Sequence, residues 1–165
     1  MDASVILFYV IAGLLVMSSL MVVFLRNVVH CAMALVAALF LIAILFLMLH
    51  APMLGVLQVL VYAGAIMVLF LFVIMFLNPN AVEPRRKLWW GFGSLGALLF
   101  AASVAALLVS NGKFLATPVA VTELFGSPEM LGQSLFTEFV LPFEIASVLL
   151  LVAIVGAVVL AKREP

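Results

Sequence analysis

Five apolar runs of 21 to 25 residues, within a chain of 165, constrain this fold more than any other feature. They cover 5–25, 28–49, 53–77, 88–109 and 139–161. A helix rises 1.5 Å per residue, so about 20 residues cross a hydrocarbon layer of about 30 Å. One small water-soluble core has no room for so much apolar surface: 69% of the residues are hydrophobic and 8% are charged, where about 25% is usual in soluble domains. The expected fold is an all-α integral membrane protein of five transmembrane helices, forming a single membrane domain over 1–165.

The breaks between runs carry turn chemistry. Arg26-Asn27 separates the first two, and His50-Ala51-Pro52 separates the second from the third, with Pro52 where a first-turn proline costs no hydrogen bond. NPNAVEPRRK, 78–87, ends the third run, and Trp89-Trp90 stand at the mouth of the fourth, where indoles favour the headgroup layer. A cleaved signal peptide is the weaker reading of 5–25, because MDAS before it contains an acid and no Lys or Arg. Between the fourth and fifth runs lies a long loop, about 110–138. There Ser127-Pro128-Glu129 has the order of an N-cap, a first-turn proline and a first-turn acid, predicting a short surface helix.

Seven Lys+Arg balance seven Asp+Glu, so net charge makes no case for nucleic acid, and only the distribution informs. Five crossings would gather Arg26, Arg85-Arg86-Lys87 and Lys162-Arg163 on one face, leaving Lys113 with Asp2, Glu123, Glu129 and Glu138 on the other. The positive-inside rule then places the amino terminus outside and the carboxyl terminus in the cytoplasm.

A few polar residues inside the runs need reasons of their own. Glu144 lies five residues into the last run, where a carboxylate must face protein or water; proton handling and a simple interfacial hydrogen bond both fit. Gln58 and Tyr62 share a face of the third helix, four residues apart, beside Gly55 and Gly64. Glycine there either lets two helices approach closely or permits a π-bulge, a feature frequent at functional sites. Gly93, Ala97, Ala101 and Ala105 form one small-residue stripe, and Ala153, Ala157 and Ala161 another, which predicts helix partners.

Self-contained chemistry has no carrier here. Cys31 is alone, so it excludes an all-cysteine cluster, and His30 and His50 bracket one span from opposite ends. No nucleotide-binding glycine motif, phosphate loop or nucleophile–base constellation is present. What remains is a subunit of a larger membrane machine, or a small channel-like or assembly protein.

The segment from Gln58 to Asn78, with VYAGA at 61–65, resembles the J subunit family of bacterial NADH:quinone oxidoreductase, respiratory complex I. Asn27-Val28-Val29-His30-Cys31-Ala32, Gly132, Leu135-Phe136 and Leu141-Pro142-Phe143-Glu144 extend the resemblance over nearly the whole chain. The resemblance implies a cofactor-free core subunit of the membrane arm, in the bacterial inner (plasma) membrane, packed among lipid and subunits of types H, A, K and N. NADH, FMN, iron–sulfur clusters and quinone would belong to partner subunits. It further implies a third helix that carries a π-bulge and helps couple quinone reduction to proton transfer, with Tyr62, Ala63 and Gly64 in that segment and Gln58 and Glu144 as further candidates. Gln58 stands where several relatives have glutamate, and Asn27-Val28 replaces a common Asn-Pro. An equivalent subunit of a ferredoxin- or deazaflavin-fed relative, or a structural or assembly membrane protein, is the alternative.

Overall fold

A computed structural model describes residues 3–77, 87–110 and 125–162. Among these are six helices: α1 (Ala3–Phe24), α2 (Val28–Met48), α3 (Pro52–Leu77), α4 (Lys87–Ser110), α5 (Pro128–Thr137) and α6 (Val140–Ala161).

Helices α1, α2 and α3 form a bundle with α2 at its centre. The α1–α2 corner is short because polar groups cap it. Asn27 adopts an extended conformation, and its side chain accepts a hydrogen bond from the Val29 N–H at 2.9 Å. The Cys31 thiol donates to the Leu25 carbonyl at 3.2 Å, which gives that residue a local structural task. Farther along, the buried Ser18 hydroxyl donates to the Ala34 carbonyl at 2.6 Å, bridging α1 and α2. Ala32, Ala34, Ala38 and Ala43 are all buried on α2, and such small side chains let neighbouring backbones come close. Ala32 joins Met67 and Ile74 of α3 in the bundle core, flanked by Leu35, Leu39 and Leu71.

The α2–α3 corner turns at His50, whose φ of 56° is left-handed, and the Ala51 N–H reaches back to the Phe46 carbonyl at 3.0 Å. Pro52 then opens α3. Gly55 sits where α3 crosses α2: a methyl there would stand 3.1 Å from Leu47 Cδ2 and 3.2 Å from the Ala43 carbonyl oxygen. Close approach is therefore a use of this glycine.

The expectation of five transmembrane helices is corrected. Among the described residues four helices, α1, α2, α3 and α6, are long and apolar enough to cross a membrane. α4 is helical over 24 residues, and Gly96–Leu107 is its apolar stretch among the described residues, so it does not count with those four. The expected orientation rested on a count of five and is not supported by these four. Of the charges used for that orientation, Asp2, Arg85, Arg86, Lys113, Glu123 and Arg163 lie outside the described residues, as do residues 111–124 of the long loop.

The Ser127 side chain accepts from the Met130 N–H at 3.2 Å, with Pro128 and Glu129 in the first turn of α5. α5 packs on α6 through an edge-to-face contact of Phe136 and Phe143, centroids 5.1 Å apart. No residue of α6 is buried within the chain.

Candidate functional site: the π-helical stretch of α3

α3 changes its winding twice. Pro52–Leu57 is α-helical, Gln58–Ile66 is π-helical over nine residues, and Met67–Leu77 is α-helical again. The π stretch is wider than the VYAGA segment, 61–65, singled out in the sequence. At its end the Met67 N–H is shared between the carbonyls of Gly64 and Tyr62, three and five residues earlier. At Gly64 a methyl would stand 3.1 Å from the carbonyl oxygen of Val59, the residue five positions back where a π turn places its acceptor. Gly64 thus relieves crowding that belongs to π winding.

The inward face of α3 runs through Gly55, Gln58, Ala63, Met67 and Ile74. The step from 58 to 63 is five residues, the spacing of a π-type hydrogen bond, where an α-helix would bring residue 62 nearest the face of residue 58. Consequently Ala63 is 3% exposed and Tyr62 is 53% exposed. Gln58 is 8% exposed as a residue, and no buried side-chain nitrogen or oxygen among the described residues lacks a hydrogen-bond partner, so its amide is not left buried and unpaired. An open apolar groove of about 370 Å³ runs beside the same stretch, between Phe40, Ile44 and Leu47 of α2 and Val56, Val59 and Leu60 of α3.

The structure thus gathers Gln58, Tyr62, Ala63 and Gly64 on two turns of one helix. Glu144 is elsewhere, exposed on α6, with Ser147 donating to its backbone carbonyl at 2.7 Å. No described group of three or more His, Cys, Asp or Glu side chains could hold a metal ion. Sequence reasoning missed Gly126, which is buried at φ 71° against the α2–α3 corner. Gly-Ser-Pro does signal a turn, but nothing local in sequence names a contact 75 residues away.

Membrane-length apolar helices packed in a bundle, with π winding in α3 among the described residues, mark a multi-pass helical membrane protein. The chain matches the family described as NADH-ubiquinone/plastoquinone oxidoreductase chain 6 over residues 18–160. It is similar to NAD(P)H-quinone oxidoreductase chain 6 of Leptolyngbya boryana, 40% identical over 95% of this chain and 79% of that one. Chloroplastic NAD(P)H-quinone oxidoreductase subunit 6 of Nephroselmis olivacea is 40% identical over 87% and 84% respectively. NADH-quinone oxidoreductase subunit J of Pseudomonas aeruginosa is 36% identical over 95% and 96%. The chain belongs to the chain 6 family of these quinone oxidoreductases.

Proposed function

We propose that this chain, a non-catalytic membrane subunit of a complex I-type quinone oxidoreductase in the bacterial inner membrane, couples quinone reduction to proton transfer by rewinding α3. The observation that carries the reading is the five-residue step from Gln58 to Ala63 on the inward face. Rewinding to a regular α-helix moves Tyr62 onto the face of Gln58 and turns Ala63 away. The Gln58 amide then gains a phenolic partner, and the path beside it changes from apolar to polar. Two such arrangements differ by a few kcal/mol at most, the range in which a partner's differential contacts decide the population.

The redox chemistry belongs to other subunits of the enzyme, those carrying NADH, FMN, iron–sulfur clusters and quinone. The exposed faces of α6 take lipid and the neighbouring H-, A-, K- and N-type subunits. Glu144 on that helix handles protons at such a contact.

Gly64→Leu in the assembled complex tests the reading. The added side chain puts a Cβ 3.1 Å from the Val59 carbonyl, so the π turn must give by a few tenths of an ångström, while the helix stays apolar enough to insert. Proton pumping in sealed vesicles should fall while assembly persists; full pumping by the variant would remove α3 from the mechanism.

A further inference from the structure

After α4 the chain returns to the bundle at the turn of Phe125 and Gly126, and the contact there is backbone against backbone. Gly126 is buried with φ 71°, a left-handed conformation that L side chains rarely adopt. A methyl on it would meet Ala51 Cα at 2.5 Å and the His50 carbonyl oxygen at 2.7 Å, neither of which can swing aside. The Gly126 carbonyl accepts a hydrogen bond from the Met53 N–H at 3.2 Å. Because Pro52 has no N–H, Met53 carries the first orphan donor of α3, which finds its partner in this turn. On the other side of the same helical turn, Gly55 presses on Ala43 and Leu47 of α2. The first α-helical turn of α3 is held from two directions, and π winding begins at Gln58, directly after it.

We propose that the turn at 125–126 is a fixed anchor for α3, with Gly126 as the positioning residue that confines any change of winding to residues beyond Leu57. The proposal rests on the rewinding reading above. A helix free at its amino end would absorb a one-residue change of register, about 100° of rotation, by turning as a whole. Pinned at Met53 and Gly55, it must take up that rotation across Gln58–Ile66, where Ala63 and Tyr62 exchange places. The anchor also continues directly into α5, whose Phe136 packs on Phe143 of α6, so the held end of α3 is tied to the helix that carries Glu144.

Amide hydrogen exchange on the intact membrane complex, read at the peptide containing Met53 in the resting and the turning-over enzyme, tests the anchor. The Met53 amide should exchange at least about 100-fold more slowly than an unstructured amide in both conditions, since an anchor stays closed through the cycle. Unprotected exchange in either condition overturns the proposal. Gly126→Ala should speed that exchange roughly tenfold, the effect expected of forcing a Cβ into left-handed backbone. In the same variant the protons moved per quinone reduced should fall while quinone reduction itself persists, a split that a purely structural role would not produce. An unchanged proton yield in an assembled Gly126→Ala complex with loosened exchange would also overturn it. Protected Met53 together with full pumping by Gly64→Leu would fail the rewinding reading and leave the anchor as a fold contact; unprotected Met53 with pumping lost in Gly64→Leu would do the reverse.

Discussion

Replacing Gln58 by leucine, a side chain of similar volume, separates the two windings of α3 by energy. In the π form Gln58 is 8% exposed and its amide is not a buried unpaired group, so leucine changes little there. In the α form leucine forfeits the hydrogen bond to Tyr62, a loss of about 0.6–1.7 kcal/mol for a bond between side chains within a membrane. The change therefore favours π winding by about 1 kcal/mol, roughly a fivefold shift in population. The Gln58→Leu complex should therefore assemble normally and tolerate heat at least as well as the parent, yet pump poorly. The assay is acidification of the lumen of sealed vesicles, measured against quinone reduction in the same preparation. A variant that pumps with full yield would refute the reasoning, because the polar exchange at Gln58 would then carry no part of the coupling.

Gly55→Leu should damage the bundle itself, since the added side chain is driven into the Ala43 backbone and Leu47; overpacking of this kind costs about 1–3 kcal/mol or more, and a lower melting temperature of the solubilised complex would register it. Glu144→Gln keeps size and hydrogen bonding but cannot ionise, so pumping should fall with assembly unchanged; normal pumping would leave Glu144 as a packing and hydrogen-bonding residue.

Much of the architecture follows from apolar run length and from local turn chemistry, both of which are local properties of sequence. Asn27, Pro52 and the Ser127-Pro128-Glu129 order mark helix starts that the structure contains, because capping needs only neighbours a few residues away. The fourth run forms the helix α4, of which Gly96–Leu107 is the apolar stretch among the described residues. The π stretch was legible as a possibility through Gly64 and the family resemblance; its extent from Gln58 was not. Winding depends on which carbonyl each N–H reaches, and the apolar residues around it fit α and π geometry alike. Gly126 illustrates the other blind spot. Its left-handed turn is suggested by Gly-Ser-Pro, whereas the need for a missing side chain comes from Ala51 and His50, distant in sequence and adjacent only in the fold.

Rewinding requires two arrangements of α3 between which Tyr62 and Ala63 exchange places. A structure of the assembled complex at rest and under turnover, resolving the carbonyls of residues 54–67, tests for them. π winding with Ala63 inward is expected in one state, and regular α winding with the Tyr62 hydroxyl against the Gln58 amide in the other. The same register in every state, with Ala63 buried throughout, would contradict it.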